Sequence, residues 1–119
     1  MPDADVLAVS GEPDEVRQLL AMLRREPDLR SAGLALAETE PAPGELGALA
    51  DTLTAIVTNE ALLTAVASTI GVWLHARLRP TRIKVRKGDV EIEVVTGKAK
   101  RAEDYTREIL DRFAEPDEE

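Results

Sequence analysis

The sequence has no cysteine and one histidine, His75, among its 119 residues. Disulfides and thiolate metal sites are therefore excluded, and a zinc site would have to consist mostly of carboxylates. A serine–histidine–acid triad would have to combine His75 with Ser10, Ser31 or Ser68, and no nucleophile-elbow motif surrounds these serines. We therefore expect a protein that is not an enzyme and that binds no metal or cofactor.

Aromatic residues and long apolar runs are also scarce. Trp73, Tyr105 and Phe113 are the only aromatic residues, so Leu, Val, Ile and Ala have to build the core. The longest uncharged stretch, 61–76, has sixteen residues, whereas a membrane-spanning helix needs about 20 predominantly apolar residues. This stretch is typical of a buried core helix, and we expect no membrane span.

Basic residues are fewer than acidic residues, 15 against 23, and the net charge is −8. This overall acidity argues against general nucleic-acid binding, which depends on many cationic contacts to phosphates. Nine of the fifteen basic residues nevertheless fall between Arg77 and Arg101, together with three of the 23 acidic residues. The first six residues contain acids and no base, so we expect no secretory signal and a cytoplasmic protein.

The apolar spacing predicts an α+β protein in one domain. Helical patterns cover 13–26, 45–58, 60–78 and 102–114, and strand patterns cover 5–10, 30–37, 82–86 and 90–94. The predicted order is β-α-β-α-α-β-β-α, a two-layer sandwich with the helices on one face of a small mixed sheet. The domain covers 1–114, and 115–119 is a disordered acidic tail.

The third predicted helix, 60–78, carries the broadest apolar stripe. Trp73, Leu74 and Leu78 belong to this stripe, which we expect to face the core. Gly71 lies within the same helix and lowers its stability by about 1 kcal/mol relative to alanine, unless close packing requires the missing side chain.

The segment 81–96 predicts a β-hairpin with a defined register. Basic and aliphatic residues alternate over 82–86, and aliphatic and acidic residues alternate over 90–94. Gly88-Asp89 between them is a strong two-residue turn signal. The turn places Arg86 opposite Glu91 and Lys84 opposite Glu93, while the aliphatic residues pair on the other face. The candidate partner surface is accordingly the solvated face that carries Arg82, Lys84, Arg86, Glu91 and Glu93.

Three segments with specific sequences occur in a recognisable order. They are LRREPDL over 23–29, PGELGALAD over 43–51, and VWLHAR over 72–77 followed by the hairpin. In these segments the chain resembles the effector-associated constant component family of actinobacterial proteins, over about 19–113.

The resemblance implies a place in bacterial conflict systems, which are immune-like. Members of this family are encoded beside effectors, often caspase-like or trypsin-like peptidases, and beside adaptor domains. The resemblance implies a shared non-enzymatic part of such systems, and it supplies no catalytic residues.

Two hypotheses from different classes follow. The leading one is an interaction module that couples a sensor or adaptor to a peptidase-type effector or signalling partner, through the solvated sheet face or the outer face of helix 60–78. The alternative is a regulatory domain that binds a small anion through Lys98, Lys100 and Arg101, or beside Gly11. A third possibility is an antitoxin-like protein that neutralises a cationic toxin.

Overall fold

A computed structural model describes residues 5–30, 32–39, 50–78, 80–97 and 100–113. The five strands are β1 (Asp5–Gly11), β2 (Ala35–Thr39), β3 (Ala50–Val57), β4 (Arg82–Lys87) and β5 (Val90–Val95). The three α-helices are α1 (Pro13–Arg25), α2 (Glu60–His75) and α3 (Ala102–Phe113), and a 3₁₀ helix covers Pro27–Leu29. The predicted tail, 115–119, lies outside the described residues.

The five strands form one sheet in the order β2-β3-β1-β4-β5. Every neighbouring pair is antiparallel, so the predicted mixed sheet is wrong, although the α+β class is confirmed. The first β-α-β unit places its two strands on either side of β3 instead of side by side. Strand β1 is therefore the central strand, with β3 and β4 as its neighbours.

The predicted helix over 45–58 is wrong in its described part, because Ala50–Val57 is strand β3. Leu53, Ala55 and Val57 are buried, and the residues between them are more exposed, which is the period of a strand. The helical interpretation required Ile56 on the buried side, but its side chain is 40% exposed. The observed order is consequently β-α-β-β-α-β-β-α.

Helix α1 confirms the prediction to within one residue. It begins at Pro13, whose missing N–H is not needed in the first turn, and its acids and bases lie at the ends that the helix dipole favours. Its buried stripe consists of three leucines, one valine and one glutamate: Glu15, Val16, Leu19, Leu20 and Leu23. The described buried apolar residues form one core between helices and sheet.

Strand β2 begins later than predicted, at Ala35 instead of residue 30. A 3₁₀ helix, Pro27–Leu29, precedes this segment, and Gly33 within it has a positive φ, +58°, which a β-strand does not use. Leu34 and Leu36 are half-buried against the core.

Helix α2 begins at Glu60 because Asn59 caps it. The Asn59 side-chain oxygen accepts a hydrogen bond from the Leu62 N–H at 2.9 Å. The helix ends at His75, three residues before the predicted end, and Leu78 is fully exposed. The prediction that Leu78 faces the core is therefore wrong. Among the described helices, none combines the length and apolar content that crossing a bilayer requires.

Helices α2 and α3 approach each other closely at Gly71. A Cβ atom on this residue would lie 2.5 Å from the Ala102 carbonyl oxygen and even closer to the Thr106 hydroxyl. The Thr106 hydroxyl donates to the Ala102 carbonyl at 3.1 Å and lies 3.4 Å from the Ala67 carbonyl. The packing therefore requires glycine, as one of the two sequence interpretations anticipated.

Candidate interaction surface

The hairpin of β4 and β5 has the predicted register. Arg86 is opposite Glu91 and Lys84 is opposite Glu93, and the aliphatic pairs lie on the other face. Gly88 adopts φ +63° in the turn, a left-handed conformation that glycine tolerates best. Turn chemistry and side-chain alternation thus select the same pairing, so the positions of the charged side chains follow from local sequence.

The predicted partner surface lies on one face of the sheet, which we call the open face. Its five members, Arg82, Lys84, Arg86, Glu91 and Glu93, are all exposed. Arg82 Nε is 3.2 Å from Glu93 Oε2, so this ion pair runs diagonally to the register, in which Glu93 is opposite Lys84. Both side chains are largely solvated, so this pair contributes little to stability and remains accessible to a partner.

The half of the open face formed by β1 and β3 carries no charge on the described side chains. Its members are Val6, Ala8, Ser10, Thr52, Thr54 and Ile56. The Ser10 and Thr52 hydroxyls are 3.0 Å apart and join the two strands. Val6 is 51% exposed and Ile56 is 40% exposed. Sequence analysis missed this neutral half because it assigned β3 to a helix, although the alternation over 52–57 carries the signal.

Charge changes in steps across the open face. On β1, Ala8 lies beside Arg86 and Ser10 lies beside Lys84. The face is therefore neutral on β3 and β1, basic on β4 and acidic on β5. Ordered charge of this kind fixes the orientation and partner choice of an interface more than its affinity.

Lys100 and Arg101, the two described residues of the predicted anion contact, lie in different surroundings. Lys100 lines a cavity of about 490 Å³ at the end of α2, together with His75, Arg77 and Tyr105. Its ammonium group is 3.2 Å from Glu108 Oε1 and donates to the Val95 carbonyl at 3.2 Å. Arg101 is exposed at the start of α3, and Lys98 lies outside the described residues. An anion at Lys100 would have to compete with Glu108.

The second cation of this cavity, Arg77, is also held internally. Its guanidinium Nη2 is 3.2 Å from Glu15 Oε2, and the two side chains are 13% and 9% exposed. The same group donates to Gln18 at 2.6 Å and to the Thr81 hydroxyl at 3.2 Å, and it lies 4.8 Å from the centre of the Trp73 ring. Arg77 therefore connects α1 to the segment after α2 and is not available as a ligand-binding cation.

Among the described residues, the side chains that could bind a metal or act in catalysis do not lie together. In the part of the chain that the structure describes, no three residues of the types His, Cys, Asp and Glu are grouped to hold a metal ion. His75 is exposed at the last position of α2. Of the candidate serines, Ser10 is hydrogen-bonded to Thr52 and Ser68 is exposed on α2.

The described residues form a small α+β protein. Its antiparallel sheet is covered by helices on one face and exposes charged side chains on the other. The family model described as Effector Associated Constant Component 1 matches residues 8–114, and the chain belongs to this family. The predicted family is confirmed, and membership makes the chain an effector-associated component of conflict systems. No curated protein and no solved structure matches the chain.

Proposed function

We propose that this protein is a non-enzymatic adaptor of an effector-associated system in the cytoplasm of an actinobacterial cell. It couples a peptidase-type effector or a signalling partner to the other components by binding it through the open face. The observation that carries this proposal is the stepwise charge pattern of the open face, from neutral β3 and β1 through basic β4 to acidic β5. Family membership supports the association with an effector.

The composition of the open face suits a protein partner. Protein interfaces combine an apolar centre with a polar rim. The exposed Val6 and Ile56 side chains form an apolar pair on β1 and β3, and the charged residues lie toward β4 and β5 on the same face. A nucleic acid is a poorer partner, because Glu91 and Glu93 flank the basic residues of β4 and would repel phosphates. The alternative of a small-anion site has less support, because Glu108 and Glu15 already pair with Lys100 and Arg77.

A charge-swap variant tests the open face without changing net charge. The four substitutions Lys84→Glu, Arg86→Glu, Glu91→Lys and Glu93→Lys reverse both directly opposite pairs, so each of these two pairs keeps opposite charges. They remove the diagonal Arg82–Glu93 pair, which is largely solvated and contributes little to stability. We expect the thermal melting temperature to stay within a few degrees of wild type. Capture of the effector encoded beside this protein, co-expressed as bait, should fall by about tenfold or more.

The matched control is the swap Arg24→Glu with Glu26→Lys at the end of α1, on the helix side of the molecule. It also leaves the net charge unchanged, and capture should remain as in wild type. Undiminished capture by the four-residue swap would show that the open face is not the interface. Equal loss in both variants would show that the effect is not specific to this face.

A further inference from the structure

Within the described part of the chain, strand β5 is an edge strand of the sheet and has β4 as its one neighbour in the strand order. Antiparallel partners alternate between hydrogen-bonded and non-hydrogen-bonded pairs. The N–H of Thr96 donates to the Thr81 carbonyl at 3.0 Å, which fixes the phase of this alternation. Glu91, Glu93 and Val95 therefore direct their backbone N–H and C=O groups away from β4, toward the free edge.

The outward backbone groups of Glu91 and Glu93 are available for pairing. Among the described residues, none forms a hydrogen bond with these groups. The Val95 carbonyl, which also points outward, accepts a hydrogen bond from Lys100 Nζ at 3.2 Å. The open part of the edge therefore extends along Glu91–Glu93 and ends where Lys100 caps it.

A groove of about 440 Å³ lies beside this edge, between β5 and α3. It is lined by four carboxylates, one guanidinium and one aliphatic side chain: Glu91, Glu93, Glu108, Asp111, Arg112 and Ile92. A strand that added to β5 would have Glu91 and Glu93 beside one of its faces and the α3 carboxylates beside the other. Glu91 and Glu93 therefore favour basic side chains on the first of these faces, and Ile92, on the α3 side of the strand, favours aliphatic side chains at the positions between them.

We propose that the β5 edge accepts an extended segment of a partner protein in which basic and aliphatic residues alternate. This inference rests on the proposed function and names the chemical class of the partner. The added strand forms main-chain hydrogen bonds with Glu91 and Glu93, and its basic side chains lie opposite these two carboxylates. Strand β5 is then flanked by basic residues on both sides, since Lys84 and Arg86 already face it from β4.

A second copy of this chain does not fit the same edge. If two β5 strands paired antiparallel through their outward groups, glutamate would lie beside glutamate on the open face, because Glu91 and Glu93 share that face. In a parallel pair, the outward groups would instead place the open face of one copy on the helix-covered side of the other. Like charges in directly opposite positions destabilise a strand pair, and charge on an edge strand is a common protection against self-pairing. The edge is thus closed to its own copies and open to a segment of opposite charge.

The test uses the intact protein and two peptides with capped ends, Lys-Val-Lys-Ile-Lys-Val-Lys and Glu-Val-Glu-Ile-Glu-Val-Glu. Amide hydrogen exchange is followed by NMR at each β5 position. The basic peptide should slow exchange at the Glu91 and Glu93 N–H groups by about tenfold or more at saturation. Exchange at the Ile92 N–H, which already faces β4, should change little. The acidic peptide should have no effect.

Two variants separate backbone pairing from charge attraction. Glu93→Gln removes the carboxylate and should weaken binding of the basic peptide severalfold. Glu93→Pro also removes the outward N–H, which the hairpin does not use, and should weaken binding by a further factor of about ten. Glu103→Gln on α3, outside the groove, is the control and should bind as wild type.

Strand addition is refuted if the basic peptide leaves exchange at Glu91 and Glu93 unchanged, whether or not it binds. Equal affinities of the Glu93→Gln and Glu93→Pro variants for this peptide would also refute it, because the outward N–H would then be irrelevant. If the basic peptide leaves amide exchange unchanged but the charge-swap variant loses effector capture, strand addition is wrong and the proposed interface stands. If the basic peptide slows amide exchange but the charge-swap variant captures the effector as wild type does, the proposed interface is wrong and strand addition stands.

Discussion

Arg77 joins parts of the chain that are far apart in sequence. Its guanidinium group bonds Glu15 and Gln18 on α1 and the Thr81 hydroxyl before β4, and it stacks on Trp73. A guanidinium group offers five donors in a planar fork, whereas an ammonium group is a compact charge at the end of a flexible stem. The position therefore requires arginine and not merely a positive charge.

We expect Arg77→Lys to lower the free energy of unfolding by about 1–2 kcal/mol, because lysine keeps the charge but loses one or two of these hydrogen bonds. Urea denaturation followed by circular dichroism measures the change. Arg107→Lys, at an exposed position of α3, is the control and should stay within about 0.5 kcal/mol of wild type. Equal stability of the two variants would contradict the role assigned to Arg77.

Gly71 provides a test in which two effects have opposite signs. Helix propensity alone predicts that Gly71→Ala stabilises α2 by about 1 kcal/mol. The new Cβ would meet the Ala102 carbonyl and the Thr106 hydroxyl, and overpacking typically costs about 1–3 kcal/mol. We expect a net destabilisation of about 1–2 kcal/mol, measured by the same urea denaturation. A variant more stable than wild type would show that the α2–α3 contact has room for a methyl group.

At the scale of single elements, predictability depends on how local the determining interactions are. The hairpin of β4 and β5 could be predicted with its register, because a Gly-Asp turn and two alternating strands lie within sixteen residues. Helix α1 could be predicted because proline, acids and bases mark its two ends. Strand β3 was not predicted, because the leucine spacing over 46–53 fits a helix and outweighed the short alternation that begins at Thr52. The strands that pair with β3 are distant in sequence and supplied no local signal.

The acidic side chains of the β5 edge should also control self-association. We expect Glu91→Thr with Glu93→Thr to promote pairing between copies, because threonine favours strands and the repulsion between glutamates is removed. Sedimentation velocity over a range of protein concentrations should show a larger concentration-dependent species than in wild type. The control, Glu60→Thr with Glu103→Thr, removes the same charge from two helix starts and should sediment as wild type. Identical behaviour of the two variants would argue against a protected edge.

At the scale of the whole molecule, the sequence predicted half of the open face. The five charged residues could be placed because the hairpin register is local. The neutral half depends on β3 being next to β1, a contact between distant segments that no local pattern specifies. The anion contact stays a prediction, but the sequence did not indicate that Glu108, in the second turn of α3, reaches back to Lys100. Charge counts along a sequence do not reveal such pairings.

The central position of β1 affects how the chain folds while it is being synthesised. Strand β1 is made first, but its two neighbours, β3 and β4, end at Val57 and Lys87. The first strand therefore leaves the ribosome with both of its edges unpaired and stays so until much later residues have emerged. The β4–β5 hairpin closes by local contacts, and it can deliver β4 to the waiting strand as a preformed unit. Slow translation before residue 87 would prolong the interval in which this apolar strand is exposed to other chains.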